Sequence, residues 1–171
     1  MGAPAQGMYG LSAGLSLGIL ALGVLAASVG AAAGAQWPVR NLGPFELRAP
    51  ASMALTQGGI DSMAGALADD RLRLDFDFGL NTDSLQAKPG ATDYRMRTMT
   101  VDGLPAHLVT YSVADNSGPA QFCAGVHVPQ VRRSSIGRIG LTLLACGGNP
   151  DSIRQAQAIF STLRFHRDTP R

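Results

Sequence analysis

Eight consecutive residues constrain this chain more than any others. Arg71 to Phe78 reads RLRLDFDF, a strict alternation of charged and apolar side chains. In an extended strand successive side chains point to opposite faces, so Leu72, Leu74, Phe76 and Phe78 share one face and Arg71, Arg73, Asp75 and Asp77 share the other. A helix would scatter the same residues around its circumference. The segment therefore predicts a strand buried on one side, closed by Gly79 and the polar run Asn81 to Ser84.

Further strands follow from similar patterns. Residues 94 to 113 read as a hairpin: YRMRTMTV enters Asp102-Gly103 and LPAHLVTYSV leaves it. Asp-Gly suits a type I′ turn, which needs positive φ at both central positions. Pro105 lies next to the turn, where a missing backbone donor is tolerated. A second pair is QFCAGVHV at 121 to 128 and RIGLTLLAC at 138 to 146, joined by the polar VRRSSIG. Pairing residues whose numbers sum to 269 sets Phe122, Ala124, Val126 and Val128 opposite Gly147, Ala145, Leu143 and Leu141. A one-residue slip would mix apolar and polar faces. Phe45-Glu46-Leu47 reads as a short first strand stopped by Pro50. Residues 51 to 70 are rich in Ala and Gly and fit a weak strand or a short helix equally.

The last element is a helix. Asn149 is its expected cap, with Pro150 at the first helical position, and Ile153, Ala156, Phe160 and Leu163 form an apolar stripe. Strands first and a helix last predict an α+β fold: a mainly antiparallel sheet with a C-terminal helix packed on it.

The N-terminal region is of another kind. All 14 basic and 12 acidic residues lie at or after Arg40, so the opening stretch carries no charged side chain. Leu11 to Leu25 has the length of a signal-peptide hydrophobic region, and Ala33-Gly34-Ala35 fits small-residue cleavage before Gln36. Against this, no Lys or Arg precedes the apolar run. A retained anchor over residues 11–33 is the rival reading, since the run exceeds the roughly 20 residues that span a bilayer. A buried helix of a cytosolic protein is the third. The expected organisation is 1–35 as signal peptide or anchor, 36–44 as a linker with two prolines, and 45–168 as one domain. Trp37 fits either an interfacial anchor or an ordinary linker residue.

The formal net charge is only +2, and Lys88 is the sole lysine among the basic residues. The densest basic spot, Arg132, Arg133 and Arg138, lacks the interleaved aromatics of a nucleic-acid surface. No nucleic-acid partner is expected.

The run FDFG, the turn segment TVDGLPAHLV and the closing AQAIFSTLRF together resemble small bacterial exported domains of the PsbP-like, Mog-like superfamily. The resemblance covers roughly Phe45 to Phe165. It implies an antiparallel sheet with packed helices and an accessory or binding role, and it supplies no catalytic set.

Candidate chemistry is sparse. Cys123 and Cys146, the only cysteines, become cross-strand neighbours in the 269 pairing. An oxidising compartment would join them as a disulfide, and two free half-buried thiols are the alternative. They do not form a CxxC redox motif. Asp75 and Asp77 share a strand face, as paired acid/base carboxylates or hard-metal ligands would, but Arg71 and Arg73 on that face also fit a solvated, charge-laced surface. Asp61, Ser62, His107 and Asp102 contain the residue types of a nucleophile, base and orienter, without the GxSxG turn that would expose the serine. His127 and His166 have no ligand partners at metal spacing. No phosphate-binding glycine motif is present, so no cofactor is expected.

The reading that follows is a non-catalytic exported module that engages an unknown protein or envelope partner. A membrane-anchored structural protein and a small envelope hydrolase using Ser62 and His107 are the alternatives.

Overall fold

A computed structural model of the chain describes residues 36–59, 62–114 and 120–166. The signal or anchor segment, including Ala33 and Ala35, lies outside the described residues, as does Asp61. Gln36 is the first residue within them.

Ten strands and one helix make up the described chain. A seven-stranded antiparallel sheet contains β3 (Ala54–Gly58), β4 (Met63–Ala68), β5 (Leu72–Gly79), β6 (Ala91–Val101), β7 (Leu104–Val113), β8 (Gln121–Ser134) and β9 (Gly137–Gly147). Their spatial order is β3-β4-β5-β9-β8-β7-β6. A three-stranded sheet, in the order β1-β2-β10, joins β1 (Val39–Asn41), β2 (Phe45–Arg48) and β10 (Arg164–Phe165). The helix α1 (Asp151–Phe160) precedes β10. The stretch read as a linker thus contributes a strand, because Val39 to Asn41 pair with β2 and Leu42 is buried behind them.

The alternating segment forms β5 with Leu72, Leu74, Phe76 and Phe78 buried. The β8–β9 register is the 269 pairing from Phe122↔Gly147 to Val128↔Leu141. Together these strands present Leu74, Phe76, Leu141, Leu143, Ala124 and Val126 to one side. On that side lie Phe45, Leu47, Ile159, Phe160 and Leu163, all fully or almost fully buried. The Phe45 ring meets Phe76 edge-on at 5.9 Å. Trp37 packs against the same core.

At the helix start the Asn149 side-chain carbonyl accepts the N–H of Ser152 at 3.2 Å. Pro150 already has helical angles, φ −59 and ψ −25. The buried stripe includes Ser152 and Ile159 as well as Ala156 and Phe160, while Ile153 is only half-buried. The Cβ position of Gly147 would lie 2.2 Å from Ser152 Oγ, so a glycine there lets the helix start sit directly against β9.

Asp102 and Gly103 turn β6 into β7 with φ of 48° and 81°, both positive as the type I′ turn demands. Asp102 also accepts the backbone N–H of Phe165 at 3.0 Å, tying the hairpin to the small sheet.

Within residues 51 to 70, Ala54–Gly58 and Met63–Ala68 pair antiparallel as β3 and β4. Their Ala and Gly have little strand propensity, so pairing with β5 supplies what local sequence does not. A Cβ at Gly65 would lie 2.5 Å from the Phe76 ring, and its absence makes room for that ring against β4. The linking stretch VRRSSIG is mostly strand, since β8 runs to Ser134 and β9 starts at Gly137.

Cys123 and Cys146 pair across β8 and β9 and form a disulfide, with Cα atoms 4.2 Å apart. The bond closes a loop across 23 positions. On the chain-entropy model such a loop stabilises the fold by up to about 3 kcal/mol. Replacing both cysteines with alanine is expected to lower the urea midpoint and steepen the slope, because the uncrosslinked unfolded chain is more expanded, at a cost of about 2–3 kcal/mol. A midpoint that does not move would mean the bond contributes nothing.

Candidate functional site

Polar and exposed residues gather on the sheet face away from the helix and in an open cleft at one end of the sheet.

On the far face stand Arg73, Asp75 and Asp77 of β5, Thr142 and Leu144 of β9, Gly125 and His127 of β8, and His107, Val109 and Tyr111 of β7. The connection from β5 to β6 must cross from the third strand to the seventh, and residues 80–90 make that crossing over this face. Leu85 anchors the strap. It is 2 % exposed and packs with Val109, Tyr111 and Cys123. A Cβ on Gly125 would stand 2.6 Å from Leu85 Cδ1, so Gly125 provides the space that Leu85 enters. Leu85 itself has φ of 59°, a left-handed conformation that a leucine takes only under tertiary constraint. Asp83 sets this bend by accepting the N–H of Leu85 at 2.8 Å, and Tyr94 donates to the Leu85 carbonyl at 2.9 Å.

A short polar chain fastens the strap to the sheet. The Thr142 hydroxyl donates to the Asp83 carbonyl at 2.6 Å. Its single proton is thereby used, so His127 must donate Nδ1–H to the Thr142 oxygen at 3.1 Å. His107 is the direct cross-strand neighbour of His127. Burial lowers the His127 pKa, the neighbouring His107 lowers it further, and Asp83 opposes both. The Asp83 carboxyl is held below its usual range by the Leu85 N–H and then by Lys88, 3.0 Å away.

The sequence candidates fall apart in space. His107 shares a cross-strand row with His127, Thr142, Asp77 and Ala64. Ser62 lies two residues before Ala64, at the far end of that row. Four strand spacings separate them, about 19 Å at the usual interstrand distance. No single water bridges that gap, so Ser62 and His107 do not form a nucleophile and base. Asp102 is occupied by the Phe165 amide. Arg73 pairs with Asp75 at 2.7 Å on an exposed surface, the charge-laced arrangement. Asp77 differs from that expectation: its Oδ1 is buried and has no hydrogen-bond partner among the described residues. No group of three or more His, Cys, Asp or Glu among the described residues could hold a metal. No helix among them is long and apolar enough to cross a membrane.

The cleft encloses about 720 Å³. Met63, Phe78, Leu80 and Ile139 give it apolar walls, and Ser62, Arg132, Ser134 and His166 give it polar ones. The Arg132 guanidinium lies over the Phe78 ring, 5.6 Å from its centroid. His166 Nδ1 contacts the Gly43 carbonyl at 2.6 Å and holds the C-terminal strand against the β1–β2 connection. Leu80 and Ile136 are 41 % and 78 % exposed at its edge. Sequence reasoning missed this cleft because its residues come from five separate segments. The one available signal was Ile136, an isolated apolar residue in the polar run RRSSIGR.

No protein-family model matches the chain, and no curated protein matches it in sequence. A crystal structure from Bacteroides thetaiotaomicron aligns with 76% of this chain and 49% of its own, at 10% identity and a TM-score of 0.38. The chain thus spans about half of that structure's length, and a likeness this distant carries no argument about fold or function.

Two predictions follow from the strap. Gly125→Ala should push Leu85 out of its seat, cost about 1–3 kcal/mol, and speed amide exchange at Leu85 without affecting α1; unchanged exchange there would refute the seating. The second concerns pH. His127 binds a proton more weakly folded than unfolded, so below its ordinary value of 6.5 the unfolded chain holds the extra proton. Stability should therefore fall as pH drops from about 7 through the lowered folded value. Asp83 and Asp69, both shifted below 3.8, act only in more acid solution. His127→Gln should flatten the urea midpoint between pH 7 and 5, and an unchanged slope would remove His127 as its source.

Proposed function

We propose that this protein is an exported, non-catalytic binding or accessory domain of the cell envelope. The observation that carries the reading is the cleft: an open concavity with both apolar and polar walls, edged by exposed Leu80 and Ile136. Such a surface suits binding, and the residues that could have formed a nucleophile and base stand four strands apart. The Cys123–Cys146 disulfide is compatible with export, because oxidising compartments preserve such bonds. The uncharged N-terminal sequence supports the same route. The PsbP-like, Mog-like resemblance belongs to this proposal: an antiparallel sheet with a packed helix is the architecture it implies, and an accessory role is the function it implies.

The test has two arms, both on protein taken from its native envelope. Intact mass, measured with and without reductant before alkylation, should match a chain beginning at Gln36 that alkylates only after reduction. A full-length chain in the membrane fraction would show a retained anchor and an anchored structural protein instead. A cytosolic chain with freely alkylating cysteines would overturn export. In the second arm, native mass spectrometry should find a bound molecule that Leu80→Glu releases. The control Leu55→Glu, on exposed β3, should retain it. Equal retention by both variants would remove the cleft as the binding site.

A further inference from the structure

The β8–β9 hairpin extends beyond the sheet that carries it. β7 pairs with β8 only up to His127, and β5 pairs with β9 only up to Gly140. Past those points the two strands continue as a ribbon without further strand partners, packed on the core through Val131 and Ile139, to the turn at Ser135 and Ile136. Between Val128 and Arg132 the ribbon is offset by a bulge: three residues on β8 face Gly140 alone. A Cβ at Gly140 would stand 2.9 Å from the Val128 carbonyl, so this position admits the bulged backbone.

The tip has an unusual composition. Arg133 and Arg138 are directly opposed across the strands, and like charges in that position repel. Neither has an ion-pair partner among the described residues. Arg132 adds a third positive charge, and neither β8 nor β9 contains an acidic residue. At the apex Ile136 is 78 % exposed, and Leu80 packs beside the turn next to Gly137. Opposed arginines with an exposed aliphatic apex cost folding stability, and an anionic, apolar-backed surface would offset that cost.

We propose that this tip docks on the anionic face of a lipid bilayer, with Arg133 and Arg138 at the headgroups and Ile136 inserted among them. The shape selects this occupant. A convex apex needs a matching cup on a folded partner, whereas a fluid bilayer closes around it. Charge complementarity supplies the attraction, about fivefold in partitioning for each arginine near an anionic surface.

Because the apolar N-terminal segment can associate with lipid by itself, the test reads where the tip lies. In the full chain, with the native disulfide intact, Ile136→Cys carries an environment-sensitive fluorophore. Ser161→Cys, exposed beyond the end of α1, carries the same label as control. Both are added to phosphatidylcholine vesicles containing spin-labelled lipid, with or without phosphatidylglycerol. The label at 136 should be quenched only with phosphatidylglycerol, and salt should reverse the quenching. The label at 161 should stay unquenched. Arg133→Ser with Arg138→Ser should weaken quenching at 136 about 25-fold in lipid titration. Equal quenching at both sites, or indifference to phosphatidylglycerol, would overturn the proposal. So would a tip label that ignores lipid but responds to polyglutamate, which would point to an acidic protein partner. Near-ultraviolet circular dichroism of each variant separates loss of docking from loss of fold.

Discussion

The pairing of β8 with β9 is the contact on which the rest of this structure depends. These strands lie at the centre of the seven-stranded order, with β5 flanking one side and β7 the other. Their register decides at once which residues face the helix and which face the strap. In the observed pairing Ala124, Val126, Leu141, Leu143 and Ala145 go to the helix side. Gly125, His127 and Thr142 go to the other. Shifting one strand by a single residue would turn its core-facing side chains towards the strap and its strap-facing ones into the core. The Cys123–Cys146 bond joins the two strands at one position of this register.

Small residues then determine what can approach the sheet. Gly147 admits the start of the helix, Gly65 admits the Phe76 ring and Gly125 admits Leu85. In each case a missing side chain on one element makes room for a specific group on another. The strap shows why this matters energetically. Its leucine takes a left-handed backbone conformation, which costs on the order of 1–3 kcal/mol, and burial of a leucine recovers a similar amount. Hydrogen bonds through Asp83, Thr142 and Tyr94 add to the hold on the strap.

The end of the sheet nearest the cleft is organised differently. There the central hairpin outgrows its neighbours, the register shifts at a bulge, and no strand covers either flank. Leu80 and Ile136 are apolar residues left exposed at this end. The projecting tip arises from this inequality of strand length, and the ribbon supplies one wall of the concavity.

Much of the architecture was legible in the chain itself. The alternation of β5, the Asp102-Gly103 turn, the 269 pairing and the helix cap are local or pairwise patterns, and local patterns are what a sequence displays. The cross-strand position of the cysteines followed from the same pairing. Other features were decided only by tertiary structure. The Ala- and Gly-rich β3–β4 hairpin became strand because β5 offered it an edge. The strand Val39–Asn41 formed inside an apparent linker because β2 lay beside it. The strap, its histidine and threonine fastening, and the cleft combine residues far apart in the chain, and nothing in their spacing announces the encounter. Ser62 and His107 show the converse, since compatible side-chain types mean little until the fold sets their distance. Sequence by itself determined which faces would be buried, because burial follows periodicity. Tertiary structure alone decided which exposed groups would meet, because that depends on strand order and on which glycines leave room.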